Sequence, residues 1–577
     1  MTGSGARPWP RFAAQLLALG LLLTGCASVP TSGPIRQGPV VDAGEGSQFI
    51  RVIAAPPSLG ASPQEIVRGF LEASASLESD HAIARRYLTP AASAAWAPAE
   101  STTVYQRASL VLAAPAEDVI EASIRITGRL LADGSLEPVD PAEPAEVPFA
   151  LEQVSDGASG VLQWRIADLP PGLLINDTDL RRAYRQYQTY FPSARSSALV
   201  PDARLLPVAG PSLPTTLAER LLAGPAQWLA PGVRTGVPQG TALALGAVPV
   251  TDGVAVVELT DQVLSATGDQ RRDLAAQLTW TLTQLPEVSA VRVLVRGEIL
   301  DVPGAPTLMD QADWSARSPD VVATGPRGLD QLPYYVLDGA SVSRVSQTGR
   351  TSIPVDVPDP EGLTGLAVAL DQRVAAAVTP DARGLWLLAL DRDLSERRIE
   401  GQQLGGASFD VDGSLWFVDA GILRRLGSDG EPVTVAVSGA QLAGPVTSVH
   451  LARDGARVVL VAGGRAYLGV LATDGDTVIS VESVRRLGSA VTEVTDVAWR
   501  DATSLDVLGS AQASSPQVLR MSVGTGTDQA LGAPLEPIEV AAAPGSPSLV
   551  STGESLFVNV GLQWRPQGDG RSVAYPG

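Results

Sequence analysis

Acid–base, nucleophilic and metal chemistry draw on thiols, imidazoles, amines and carboxylates, and this chain is sparing with all but the last. It holds one thiol, Cys26, and two imidazoles, His81 and His450; it has no lysine, so its 42 basic residues are all arginine, set against 62 Asp and Glu. Without lysine there is no P-loop amine, no pyridoxal Schiff base and no kinase-type phosphate-binding amine. Two imidazoles and one thiol cannot build a His/Cys zinc site or an HExxH helix, and a lone cysteine closes no internal disulfide. No G-x-S-x-G occurs. What remains is carboxylate chemistry: glycoside hydrolysis or an all-oxygen cation site. Asp410, Asp412 and Gly413 faintly resemble a calcium loop, but the further oxygen ligands and closing Glu are missing, so they read as an Asp-Gly turn. His81, beside Asp80 at a helix start, reads as a surface residue next to a cap. His450, in the strand Val446–Leu451, reads as strand packing. No metal or cofactor is expected.

Cys26 has a more specific context. Arg7 and Arg11 precede an apolar run, Phe12 to Leu23, with no acid in residues 1–25. The run is about 18 Å long as a helix, too short to span roughly 30 Å of hydrocarbon. It reads as the core of a signal peptide. Leu23-Thr24-Gly25-Cys26 is then a bacterial lipobox, with cleavage between Gly25 and Cys26, a diacylglyceryl thioether on the thiol and an acyl group such as palmitate on the freed amine. Two or more chains anchor stably, at about 0.8 kcal/mol per buried methylene. The expected location is the extracytoplasmic face of the cell membrane.

The net charge of −20 argues against a nucleic-acid partner and against electrostatic attachment to anionic lipid. The length of 577 residues suggests three or four domains. Gly 57 and Pro 45 favour strands and turns over long helices. Residues 1–25 are the signal peptide and 26–60 the lipidated cysteine and its tether. Residues 61–180 read as an α+β domain, opened by the capping sequence Ser62-Pro63-Gln64-Glu65. Residues 183–302 contain a strand–helix–strand unit: Val254–Leu259, the helix Asp273–Leu285 with Leu274, Leu278, Leu282 and Leu285 on one side, and Val288–Val295. From 318 to 577, apolar strands follow polar turns at Val374, Trp416, Val458, Leu505 and Leu556, with a fainter copy near Leu332. A 40–50-residue period marks a β-propeller of about six blades, within a range of five to seven. The fold class is thus multi-domain and mostly β. Tyr184, Tyr187, Tyr190 and Phe191 are expected to pack in the core or between domains rather than to anchor a partner or stack on a sugar, and the arginine pairs at 181–182, 271–272, 424–425 and 485–486 to form surface ion pairs.

The order of these pieces carries a resemblance. Cys26-Ala-Ser-Val-Pro-Thr-Ser-Gly-Pro34 resembles the mature start of the actinobacterial LpqB lipoproteins. Leu221–Pro225, Pro238–Thr241, Asp252–Thr260 and Leu285–Val293 resemble the GerMN module of sporulation and germination proteins. The first domain is similar to the LpqB N-terminal domain, of nuclear-transport-factor-like shape, and the last to the LpqB propeller. The resemblance implies a non-enzymatic accessory of the MtrA–MtrB two-component system that contacts the histidine-kinase sensor domain and affects cell-wall homeostasis and division. It brings no catalytic residue to this chain. A peptidoglycan- or carbohydrate-binding lipoprotein is the alternative. A propeller glycosidase or lyase is the third reading, and it predicts buried, convergent carboxylates with raised pKa values in the propeller channel.

Overall fold

The computed structural model describes Gly3 and residues 54–577, apart from 77–79, 156–160, 209–211, 321–331, 339–340, 356–361, 392–396, 428–429, 476, 489–490, 512–514 and 562. The chain divides into two units, 1–51 and 52–577. The signal peptide apart from Gly3, with Gly25, Cys26 and the tether as far as residue 53, lies outside the described residues. Among the described residues, no helix is long and apolar enough to cross a membrane.

Ser62 opens the first domain as the sequence predicts. Its side chain accepts from Glu65 N while Glu65 returns the bond, and Pro63 sits in the first turn of α1 (Pro63–Ala73). Two short helices follow, α2 (Ala82–Arg85) and α3 (Pro90–Ala95). They cover a sheet of β1 (Thr102–Tyr105), β2 (Val111–Ala116), β3 (Val119–Leu130), β4 (Leu136–Ser155), β5 (Leu162–Asp168) and β6 (Leu173–Asn176). Ile66, Val67, Phe70 and Leu71 pack on Ile120, Ala122, Phe149 and Ile166, each such burial stabilising by roughly 1.5–3 kcal/mol. His81 is not a surface residue. It is buried, edge-on to Trp96 at 5.5 Å, and burial lowers its pKa.

After α4 (Asp177–Ala183) come β7 (Tyr184–Pro192) and β8 (Leu199–Pro207), a two-stranded antiparallel hairpin. The middle domain adds α5 (Leu213–Leu222), β9 (Val250–Thr251), β10 (Val254–Leu259), α6 (Gly268–Leu282), β11 (Ala290–Val295) and β12 (Glu298–Ile299). β10 and β11 pair in parallel across α6, a crossover unit. The leucine face of α6 packs in the core, but its opposite face is buried as well. Gln277 donates to Tyr190 O at 2.9 Å and accepts from Gly236 N at 2.8 Å, while Gln284 bonds both main-chain groups of Gln188. Side-chain amides therefore replace a neighbouring strand on the open edge of β7.

The last region is a ring of six sheets among the described residues. Their innermost strands are Ser572–Ala574, Thr364–Val368, Ser408–Phe409, Val446–Leu451, Val491–Trp499 and Glu539–Ala541, in blades 1 to 6. These strands touch in cyclic order, and the last returns to the first. Blade 1 is composite: its inner strand comes from the C-terminal end and pairs with Tyr334–Asp338. Blade 4 carries an extra outer strand, Ala436–Gly439, parallel to its neighbour. The propeller, the α+β first domain and the crossover unit together make the chain mostly β.

Candidate functional site

Two sets of buried polar groups stand out, one where the domains meet and one in the propeller channel. The first is built on the β7–β8 hairpin. Its tip, residues 193–198, reaches the turns that join the inner and second strands of blades 3 and 4. Arg195 is buried there, 3.1 Å from Asp410 and paired also with Asp412. Asp410 further accepts from Asp412 N, Ser414 N and the Trp416 indole, each at 3.0 Å. The segment that resembled a calcium loop is thus an arginine-capped turn, and no group of three candidate metal ligands occurs among the described residues. Ser196 donates to Asp454 O at 2.7 Å, and Asp320 accepts from Ala502 N of blade 5, also at 2.7 Å.

Deeper in the hairpin, Arg204 is 1 % exposed. It reaches Asp202 at 2.6 Å, Gly224 O at 3.2 Å and, in the first domain, Asp133 at 2.5 Å. Burial pushes Asp202 up, and Arg204 and the Ala226 N–H pull it back. Burial also opposes ionisation of Asp133, but two bonds from Ser135 and the charge of Arg204 outweigh it and hold Asp133 below the usual range. Arg485 of blade 4 lies over the Trp228 ring at 3.9 Å. Val200, Leu229, Ala456 and Val470 form an apolar cluster between hairpin and propeller. Two glycines allow the approach: a Cβ on Gly232 would lie 2.5 Å from Val470, and one on Gly524 2.3 Å from Ala203. The three folded modules are thus held by one continuous set of contacts.

The arginine pairs divide. Arg272 forms the surface pair expected, with Asp269, while the half-exposed Arg182 reaches a buried Asp179. Arg485 instead belongs to the junction, and Arg425 reaches Asp410 at 3.5 Å. Tyr184, Tyr190 and Phe191 are buried and Tyr187 is half-buried, so the cluster packs inward and offers no open stacking platform.

The second set lies in the channel, a cavity of about 120 Å³ lined by residues of all six inner strands, among them His450, Asp496 and Glu539. The carboxylates tie one blade to the next. Asp496 accepts from Val540 N at 2.8 Å; Glu539 accepts from Ser572 Oγ at 2.8 Å and Val573 N at 2.9 Å. Ser408 and Ser572 extend the pattern, accepting from Leu451 N and Leu366 N. His450 Nε2 lies 3.0 Å from Ser448 Oγ and 3.5 Å from Asp496. Burial pushes Asp496 up to about 7 and His450 down to about 4. Burial, and then the nearby Asp496, push Glu539 up to about 8. Between pH 4 and 7 the His450–Asp496 contact is therefore acid against neutral imidazole, not an ion pair. Arg453 lines the same channel but directs its donors to Pro576 O and Trp499 O.

Sequence reasoning missed Arg195, Arg204, Asp496 and Glu539. None of the four carried a clear local signal: Asp496 shares its mixed strand with Glu493, and Glu539 opens a three-residue strand.

Three family models match the chain: "Lipoprotein LpqB, N-terminal domain" over residues 56–181, "Sporulation and spore germination" over 188–301 and "Lipoprotein LpqB beta-propeller domain" over 337–576. Lipoprotein LpqB of Thermobifida fusca is 30% identical, covering 98% of this chain and 98% of its own. Lipoprotein LpqB of Streptomyces coelicolor is 31% identical, covering 100% of this chain and 99% of its own. Among solved structures, TolB from Acinetobacter baumannii overlays at a TM-score of 0.33 with 16% identity, over 57% of this chain and 88% of its own, below the level that establishes a shared fold. Full-length identity to named relatives, with three models in the order of the three folded modules, places this chain in the LpqB lipoprotein family.

Proposed function

We propose that this membrane-anchored lipoprotein is acylated at Cys26, faces the extracytoplasmic side and acts as a non-enzymatic accessory that binds an MtrB-like sensor kinase and shifts its signalling state. The observation that carries this reading is the arginine-keyed junction. Arg195 and Arg204 join three modules into a single body, so a partner meets one surface of fixed geometry. A binder shifts a kinase equilibrium only through unequal affinity for its two states, which a rigid surface supplies more readily than a jointed one. The lipid anchor adds effective concentration in the plane of the membrane, so modest affinity suffices. The test compares phosphorylation of the kinase's response regulator in cells with wild type, with Cys26→Ala and with the gene deleted. A change with deletion that Cys26→Ala reproduces supports the proposal; unchanged phosphorylation on deletion ends it.

A second reading has its own support, the raised Asp496 and Glu539 in the channel. It treats them as an acid–base pair acting on a wall glycan. Asp496→Asn and Glu539→Gln would then abolish function in a chain that still folds. In the binding reading these variants keep function, because both carboxylates serve as ties between blades.

A further inference from the structure

We infer that the first domain holds a binding site for a small neutral apolar group, an aromatic ring or a branched alkyl end. A cavity of about 130 Å³ opens there between α1 and the sheet. Phe70, Ile124, Ile126, Val147, Phe149 and Leu174 supply its walls, and Thr103 is the one polar side chain in the lining. Protein interiors contain few voids larger than a water molecule, so a space of this size is not ordinary packing slack. Nor is the surrounding core loose: Ile66, Val67, Ile120, Ala122 and Ile166 are at most 1 % exposed. The void is local and bounded by rigid groups. Phe70 sits edge-on to Trp96 at 5.3 Å and to Phe149 at 6.2 Å. On the far side the Trp96 indole donates to Gly172 O at 2.8 Å, fixing the Pro170-Pro171-Gly172 turn that borders the cavity. Pro171 is exposed, so the space has a route to solvent.

The wall chemistry selects the ligand. Water needs two to four polar partners to settle in a cavity, and apolar cavities of about 150 Å³ stay dry and take up benzene or xenon. Thr103 is the one polar side chain, and no charged side chain lines the cavity to hold an ion. A neutral apolar group gains contact with two phenyl rings and four aliphatic side chains.

The probes are xenon and benzene, applied to the full chain. Crystals pressurised with xenon are expected to show it bound between Phe70 and Phe149. In solution benzene is expected to raise the melting temperature saturably. Ile126→Trp fills the space from a partly buried position, and is expected to remove the xenon peak and weaken benzene binding at least tenfold without lowering the melting temperature of the free protein. Val147→Phe serves the same purpose from the neighbouring strand if Ile126→Trp does not fold. Xenon absent from the cavity, or equal benzene affinity in wild type and filled variants, overturns the proposal.

Discussion

At the junction, Asp202 and Asp410 are buried within 2.6 and 3.1 Å of Arg204 and Arg195. In the propeller channel, Asp496 and Glu539 are partly buried on the cavity wall, and their hydrogen bonds come from main-chain N–H groups and a hydroxyl. The first arrangement answers each desolvated carboxylate with a guanidinium and joins modules. The second leaves the carboxylates to hold protons and joins blades. Both arrangements take carboxylates out of bulk water; the means of meeting that cost differs, and so must the response to mutation and to pH.

The largest expected effect is at the keystone. Arg204→Met leaves Asp202 buried without its counter-charge and should cost about 3–5 kcal/mol in equilibrium unfolding; a loss below about 1 kcal/mol would erase the distinction between the two regions. Arg195→Ala should cost less, about 2 kcal/mol, because the Asp410 carboxylate keeps its two main-chain donors and the Trp416 indole. Hydrogen exchange should rise at residues 193–198 and in the Asp410–Ser414 turn while the inner strands stay protected.

The channel is expected to answer to pH instead. Carboxylates raised in the folded state bind more protons there than in the unfolded chain, so their stabilisation is complete below about pH 4 and falls as pH rises through their folded values of about 7 and 8. His450, lowered to about 4, works the other way below its unfolded value near 6.5 and offsets part of the fall. The unopposed window is therefore pH 6.5 to 8, with a loss of about 1–2 kcal/mol. Combining Asp496→Asn with Glu539→Gln should flatten that slope in denaturation curves taken at several pH values. An unchanged slope would place the titrating groups elsewhere. The smallest effect is expected from Asp412→Ala, below about 1 kcal/mol, because that carboxylate is half exposed and Asp410 still holds Arg195.

Much of the architecture could be read from local pattern. The capping box at Ser62, the crossover at β10–α6–β11 and the propeller period all depend on short-range chemistry. The period was legible because Trp416, Val458 and Leu505 fall on the second strand of their blades, an apolar strand that follows a turn. Leu556 falls on the third strand of blade 6, one strand late, which is why its spacing looked long. The first half of β4 was not legible. Pro138 and Pro144 look like a loop, yet they sit where β4 pairs only with β3, and an edge tolerates residues that lack an N–H. The junction arginines were least legible. Their partners, Asp133, Asp202, Asp410 and Asp412, come from three modules, and nothing in the sequence near Arg195 or Arg204 marks which carboxylate each will meet. The channel acids were little better: Asp496 shares its strand with Glu493, Glu539 opens a three-residue strand, and neither has a role until the next blade is in place.

The composite blade bears on how the ring comes into being. Tyr335 pairs with Ala574, and Leu337 with Ser572, so the contact that closes the circle joins the two ends of the domain. A chain emerging from its N-terminal side can form the sheets of blades 2 to 5 one after another, each from local hairpins. Blade 1 must wait, its inner edge unpaired, until Ser572–Ala574 arrives. Contacts between such distant segments are the slowest to form, and an unpaired strand edge invites association with another chain in the interval. Assembly of this protein should thus have a vulnerable period that lasts until Ser572–Ala574 arrives, and a chain lacking that strand would leave the circle open.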